Sequence, residues 1–219
     1  MNVADSAAAV GMAAAGFAIG GGAMLLASRA VRDHRDLGSA PSTWPAAAMS
    51  AALFAALWLR FGPSSVLPAL CYLAAIGPAL AVIDARYKRL PDVLTLPSYP
   101  AALLLLGVAA LAGGWGGNSG GARLADAAIG LAAALLFFLL QAFIYPAGVG
   151  WGDVKLSGVI GLYLGWFGLT AFLAGVLGGY LLAAVTGIGL IAARRASRKT
   201  QLPFGPFLLA GTLAAILVH

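Results

Sequence analysis

Two aspartates, Asp84 and Asp153, lie at the boundaries of apolar segments. An ionisable side chain there costs solvation free energy, so its presence suggests a function. Asp84 closes the apolar run 66–83, and Asp153 ends the tetrapeptide GWGD at 150–153. Two carboxylates that face one site can share a proton, so that one accepts a proton from water while the other donates one. The pair therefore indicates acid and base chemistry on water, provided that the fold brings both residues to one face of a membrane.

The elements that must position these acids are membrane helices. Hydrophobic residues make up 62% of the chain, charged residues only 9%, and the mean hydropathy is +0.96. A soluble surface cannot be built from that composition, which is typical of a polytopic membrane protein. At roughly 20 residues per span, the chain has room for about eight helices. We therefore predict an all-α fold in which residues 1–219 form a single membrane domain.

The apolar segments give the approximate positions of these eight spans. Short stretches rich in Pro, Gly and Ser separate most of them. The sixth segment is short for a full crossing and needs tilt, a re-entrant path or extension into its flanks. The predicted spans lie near 7–27, 45–59, 66–83, 99–113, 124–145, 154–165, 169–192 and 204–218.

The basic residues predict the orientation of the helices. If the amino terminus lies outside, the odd-numbered connections face the cytoplasm and hold eleven of the thirteen Lys and Arg residues, as the positive-inside rule requires. These are Arg29, Arg32, Arg35, Arg86, Lys88, Arg89, Lys155, Arg194, Arg195, Arg198 and Lys199. We therefore attribute the net charge of +6 to membrane orientation and not to a nucleic-acid partner. Both termini are then expected outside, with Asp84, Asp92 and Asp153 at the cytoplasmic edge.

Several other chemistries lack the residues that they need. The chain contains no glutamate, and its two histidines are His34 and His219, so a Ser-His-Asp or Cys-His triad is not expected. The only cysteine is Cys71, and neither the histidines nor the aspartates have metal-ligand spacing. We therefore predict neither a metal nor a cofactor.

Each of the three cytoplasmic-edge aspartates also has a purely structural interpretation. Asp92 and Asp153 could cap the helices that begin beside them by accepting backbone N–H groups. Asp84 could form a helix-end ion pair with Arg86 or Lys88. The glycines before Asp153 favour a functional interpretation, because they let backbone and substrate approach closely.

Two further groups of glycines allow alternative interpretations. The turn 148–152 and the segment 204–206 could leave backbone groups open to an extended substrate, which cannot lie in lipid without hydrogen-bond partners. Gly175, Gly178 and Gly179 could let a substrate helix approach closely, or they could serve packing between the protein's own helices.

Three segments together resemble the type IV prepilin peptidases, which are the bacterial GxGD aspartyl proteases. The segments are IDARYKRLPDVLTLP at 83–97, GWGDVKL at 150–156 and LPFGPF at 202–207. The tetrapeptide alone would be a weak signal, whereas the three segments in this order are specific. The resemblance covers roughly residues 66–219, which would form the peptidase core.

The resemblance implies an activity and assigns roles to residues. It implies cleavage of prepilin or pseudopilin precursors after a glycine, at the cytoplasmic face of the bacterial inner membrane, ahead of an apolar helix. The implied partners are these precursors, the lipid bilayer, and pilus or secretion assembly components. The implied site residues are Asp84 and Asp153 as the catalytic pair, with Asp92, Lys155, Gly150 and Gly152 as supporting motif residues.

The chain departs from the longer members of that family in its first connection. Those members have a sizeable cytoplasmic region there, often with two CxxC pairs that bind zinc, and they also methylate the new amino terminus. Here the connection 28–44 is short and has no cysteine. A peptidase without a zinc site and without methyltransferase activity is therefore expected.

Two functions of other classes are also compatible with the composition. Aspartates at the membrane edge could carry protons or cations in a small transporter or channel. The chain could also be a non-catalytic assembly partner of a secretion system. A proton relay would need acids distributed through the depth of the bilayer, whereas these acids cluster at one predicted face beside turn residues.

Overall fold

The structure is a computed structural model that describes residues 3–32, 42–113, 119–145, 148–195, 197, 200 and 202–219. Within these ranges the secondary structure is helical and contains no strand, which confirms the predicted all-α class. Some predictions fall outside the described residues. They concern His34, Arg35, Arg198 and Lys199.

The described part of the chain contains nine α-helices. They are α1 (Val3–Arg32), α2 (Trp44–Phe61), α3 (Leu67–Tyr87), α4 (Asp92–Thr95), α5 (Ser98–Leu111), α6 (Gly120–Ile144), α7 (Trp151–Trp166), α8 (Leu169–Ala192) and α9 (Gly205–Val218). All except α4 coincide with a predicted span. The helix α1 extends past the predicted end at residue 27 into the first basic residues.

Six segments of the described chain are long and apolar enough to cross a membrane, as expected of a polytopic membrane protein. They are Asp5–Val31, Trp44–Phe61, Leu67–Tyr87, Asp92–Leu111, Gly120–Ile144 and Leu169–Ala192. The sixth and eighth predicted spans correspond to α7 and α9, which have only 16 and 14 residues. The number of eight spans and the outside position of both termini stay predictions.

The helices form two compact units. The first unit comprises Met1–Ile83 and Pro91–Leu124, and the second comprises Asp84–Leu90 and Ala125–His219. The prediction of a single membrane domain, with a peptidase core at 66–219, is not tested by this division and stays a prediction.

In the first unit, α1 and α2 pack closely through small residues. A Cβ atom at Gly16 would lie 2.7 Å from the ring of Phe54, so only glycine fits there. Gly20 faces Ser50 in the same way. In the same unit the Tyr72 hydroxyl lies 3.1 Å from that of Ser98, which connects α3 to α5 by a hydrogen bond.

In the second unit, α7 is buried along almost its whole length. Every residue from Leu156 to Trp166 is buried. Gly161 contacts the backbone of Gly130 in α6, and no side chain would fit between them. A helix that is apolar and buried on all sides belongs to the core of its unit. Whether this segment crosses the membrane stays a prediction.

The helix α8 has one packed side and one exposed side. A Cβ atom at Gly175 would lie 2.7 Å from the Leu164 side chain, and one at Gly179 would lie 3.0 Å from the Leu208 Cα atom. These two glycines therefore serve packing against α7 and α9. Leu177 and Leu181 are exposed one helical turn apart, as expected of a side that meets lipid.

Candidate active site

Asp84 is a buried acid in the last turn of α3. Only 5% of its surface is exposed, whereas the neighbouring Arg86 and Lys88 are exposed. Its Oδ2 atom accepts a hydrogen bond from the backbone N–H of Gly205 at 3.1 Å. The donor is 121 positions away in the sequence and is the first residue of α9. These contacts do not favour the predicted ion pair at the helix end.

Asp153 is held by its own helix. Gly150 is the N-cap of α7 in an extended conformation, so Asp153 is the third helical residue. The backbone N–H of Gly150 interacts with its carboxylate, as an acid at this position does in a capping box. Capping therefore accounts for one contact of this side chain. Its Oδ1 atom is buried and has no hydrogen-bond partner among the described residues.

The two carboxyl groups converge on Gly205. A Cβ atom at this position would lie 2.8 Å from Oδ2 of Asp84 and 3.7 Å from Oδ1 of Asp153. The sum of the two distances limits the separation of these oxygens to about 6.5 Å. Carboxyl groups this close in a buried site disfavour the doubly ionised state, so they titrate as a coupled pair.

The electrostatics of Asp153 favour its protonated form. Burial raises the pKa of Asp153 to about 7, and the neighbouring charge of Asp84 acts in the same direction. The interaction with the N–H of Gly150 lowers this pKa and only partly offsets the increase. Near neutral pH, a large share of the molecules therefore carry a proton on Asp153, as general acid catalysis requires.

A cavity of about 310 Å³ opens beside Asp153. Its wall is mainly apolar, and the rings of Phe138, Tyr180 and Phe204 pack together with centroids 4.8 to 6.1 Å apart. Gln141 donates to the Tyr180 hydroxyl at 2.7 Å, and that hydroxyl lies 2.9 Å from the Gln141 carbonyl oxygen. These polar groups satisfy each other, so the cavity combines an apolar surface with one acid.

The residues of this cavity wall could not be predicted from the motifs in the sequence. Gln141 had a detectable signal, since it is the only amide side chain within the apolar segment 124–145. Phe138 and Tyr180 had none, because an aromatic residue in a membrane helix is usually a packing residue. The contact between Gly205 and Asp84 also had no signal in the sequence, although Gly205 belongs to the segment 202–207.

The supporting motif residues occupy different places. A Cβ atom at Gly152 would lie 3.1 Å from that of Leu90, so α7 begins in close contact with the chain that follows α3. Lys155 is half-buried in α7. Asp92 is exposed at the start of α4 and belongs to the first unit, whereas Asp84, Asp153 and the other motif residues belong to the second.

We next consider which of the described side chains could bind a metal ion. Among the residues that the structure describes, no group of three or more His, Cys, Asp or Glu side chains could hold a metal ion. The predicted absence of a metal and of a cofactor stays a prediction. The carboxyl groups of Asp84 and Asp153 are of the chemical type that exchanges protons with water.

Comparison with known proteins gives a consistent set of relatives. The sequence pattern of the type IV leader peptidase family matches residues 69–217. The chain is 36% identical over 176 residues to a prepilin leader peptidase/N-methyltransferase of Burkholderia pseudomallei strain K96243, covering 76% of this chain and 52% of the relative. Its identity to the protein of that name in Bacillus subtilis strain 168 is 32% over 179 residues, covering 80% and 65%.

A third relative of the same name, from Pseudomonas aeruginosa strain PAO1, is 35% identical over 148 residues, covering 63% of this chain and 45% of the relative. The chain thus spans about half the length of the first curated relatives it matches. No solved structure matches it significantly.

Proposed function

We propose that this chain, which belongs to the type IV leader peptidase family, is a membrane aspartic endopeptidase that removes the leader from prepilin-like precursors. The observation that carries the proposal is the convergence of Asp84 and Asp153 on Gly205. Two acids from distant segments supply the chemical groups for hydrolysis of a peptide bond by water. Asp84 and Asp153 are the proposed catalytic pair, with Gly150, Gly152, Lys155 and Asp92 in supporting roles.

The proposed reaction uses one water and one shared proton. A water that is hydrogen-bonded to both carboxyl groups needs their oxygens about 4.5–5.5 Å apart. The limit of about 6.5 Å set by the contacts at Gly205 is compatible with that distance. The ionised carboxylate accepts a proton from this water while the protonated one donates to the scissile carbonyl oxygen.

The cavity beside Asp153 supports a model for substrate binding. An extended segment of precursor at a membrane boundary needs hydrogen-bond partners for its backbone. The end of the loop before α7, at Gly148 and Val149, lines the cavity together with Asp153. We place a side chain next to the scissile bond in this cavity, where an apolar side chain would fill an apolar space.

The proposed location is the bacterial cytoplasmic membrane, with the site on its cytoplasmic side. This location is supported by the distribution of basic residues, because eleven of the thirteen fall in the odd-numbered connections between the eight predicted spans. The proposed partners are the precursor, the lipid bilayer, and components of a pilus or secretion assembly. We propose no nucleic-acid partner.

The proposed activity is peptide cleavage without methyl transfer, although the names of the relatives include an N-methyltransferase. Residues 33–43, which connect α1 to α2, contain no cysteine, so the cysteine pairs expected of longer family members are missing from this connection.

Purified chain and a precursor peptide test the proposal. The peptide carries a leader, a glycine at the cleavage site and a following apolar helix. Asp84→Asn and Asp153→Asn should each lower cleavage by about 10³-fold, as expected when a general acid or base is lost. Asp92→Asn should keep partial activity, and Asp126→Asn, an exposed acid in α6, is the matched control.

The outcomes separate the functions considered. Full cleavage by every variant would contradict a peptidase that depends on these acids. Loss with Asp92→Asn and Asp153→Asn, but not with Asp84→Asn, would move the catalytic pair to those two residues. If the unchanged chain leaves the peptide intact, the proposed activity itself is wrong.

A further inference from the structure

We propose that Gly205 is a positioning residue that holds Asp84 ionised as the general base and thereby leaves Asp153 to act as the general acid. The inference rests on the proposed peptidase function and deepens it by giving the two acids distinct roles. It starts from the difference between the partners that the structure gives to the two carboxyl groups.

The partner of Asp84 favours the ionised form. Gly205 is the first residue of a 14-residue helix, so its N–H has no acceptor within that helix. This N–H donates to Oδ2 of Asp84 in a buried position. A hydrogen bond from a helix amino terminus to a carboxylate is charge-assisted, and the helix dipole adds to its strength. Both effects stabilise a negative charge on Asp84 and oppose the cost of burying that charge.

Glycine is required at this position for space. A Cβ atom at Gly205 would lie 2.8 Å from Oδ2 and 3.4 Å from Cγ of Asp84. The first distance is shorter than the contacts that real Cβ atoms make. Any side chain at 205 would therefore push the carboxylate away from the N–H that it accepts. The close approach of backbone to carboxylate fixes the orientation of Asp84 and hence the hydrogen-bond geometry that base catalysis needs.

The surroundings of Asp153 favour the protonated form. Its Oδ1 atom is buried without a hydrogen-bond partner in the described chain, and its side chain lines an apolar cavity. Asp84 and Tyr180 are titratable groups that interact with it, and the Tyr180 hydroxyl is hydrogen-bonded to Gln141, whereas the N–H of Gly150 favours the ionised form and offsets the effect of burial only in part. Neither of these groups supplies a positive charge. The raised pKa of Asp153, about 7 and due mainly to burial, agrees with this assignment.

The two roles give a balanced reaction. Asp84 takes a proton from water as the water oxygen bonds to the carbonyl carbon, and Asp153 gives its proton to the carbonyl oxygen as the C=O π bond breaks. In the second step, Asp84 returns the proton to the leaving nitrogen as the C–N bond breaks. Asp153 then recovers a proton from the second hydroxyl of the tetrahedral intermediate, so both acids end in their starting states.

Gly205→Ala tests the inference, with Gly189→Ala in α8 as the matched control. Gly189 is exposed, and a Cβ atom there would contact nothing within 4 Å. We expect Gly205→Ala to lower kcat by about ten- to hundredfold, equivalent to one charge-assisted hydrogen bond, with KM changed less than about twofold. The acidic limb of the pH–rate profile should move to higher pH, because Asp84 becomes harder to ionise.

Infrared spectroscopy gives a second readout that does not require the Gly205 variant to fold. At about pH 6, the carbonyl band of a buried protonated carboxyl group should disappear in Asp153→Asn and persist in Asp84→Asn. The opposite pattern would overturn the assignment. So would a Gly205→Ala enzyme with unchanged kcat and pH profile. An unchanged chain that cleaves no precursor would instead refute the peptidase function, which keeps the two failures distinct.

Discussion

Asp84 and Asp153 each lie at the amino terminus of a helix, but only Asp153 belongs to the helix whose amino terminus it contacts. Asp153 belongs to the helix itself, three positions after the N-cap Gly150. Asp84 comes from α3 and lies against α9, whose first residue follows it by 121 positions. Asp84 is enclosed by the backbone of Gly205, whereas Asp153 borders an open cavity.

The difference shows how one kind of side chain can serve two purposes. In the proposed assignment, the Asp84 carboxyl group, enclosed and accepting the N–H of a helix distant in sequence, is held ionised and in one orientation. A carboxyl group beside an apolar cavity, with one oxygen unpartnered, is held protonated and faces the space that a substrate would enter. Environments that separate two acids in this way assign acid and base roles.

Lengthening each acid by one methylene group should have the largest effect on activity and should affect the two acids differently. Asp84→Glu has no room, because Asp84 is 5% exposed and Gly205 packs against its carboxylate. We expect a loss of kcat/KM of about 10²-fold or more, against about tenfold for Asp153→Glu, which can extend into the cavity. Cleavage rates of folded variants measure this. Equal losses, or a larger loss at 153, would contradict the enclosed position of Asp84.

Narrowing the cavity should affect large substrate side chains more than small ones. Val149 lines the cavity, so Val149→Trp should reduce kcat/KM by about tenfold for a precursor with a bulky apolar side chain beside the scissile bond. A precursor with alanine at that position should be affected much less. The control is Val185→Trp, because Val185 is 61% exposed on α8. The same loss for both precursors would argue against a side-chain site here.

The smallest expected effect is on stability, and it depends on pH. The pKa of Asp153 is raised from 3.8 to about 7, so the folded state binds this proton more tightly than the unfolded state. Stability therefore falls as the pH rises between these values, and ionised Asp153 destabilises the fold above pH 7. Asp153→Asn should melt about 2–4 °C higher than the unchanged chain at pH 8, with a smaller difference at pH 5.

Activity should show the same titration, since the rate should fall as Asp153 loses its proton above about pH 7. Melting curves and initial rates at matched pH values measure both effects. An Asp153→Asn protein that is less stable than the unchanged chain at pH 8 would show that the ionised carboxylate contributes a stabilising contact.

The family and the fold class could both be predicted, because they depend on local features of the sequence. Apolar runs predicted the helices, and three motif segments predicted the type IV leader peptidase family, which the match over residues 69–217 confirms. The sixth span was harder to interpret. Its length alone did not predict that α7 is buried along almost its whole length.

The site residues also differ in whether their contacts are local in the sequence. Asp153 and Gly150 are three positions apart, so a helix start at GWGD brings them together without any other part of the chain. By contrast, the contact of Gly205 with Asp84 and the grouping of Gln141, Tyr180 and Phe204 join residues from different helices. No spacing rule relates such residues.

The amino-acid sequence was sufficient to identify a helical membrane protein of the leader peptidase family with acids at two helix boundaries. The packing of the helices was needed to show that one acid is enclosed by a glycine backbone while the other faces a cavity. The physical reason is that hydropathy and capping act over a few residues. The environment of a carboxyl group depends on which distant backbone N–H groups, charges and apolar surfaces the packed helices bring to it.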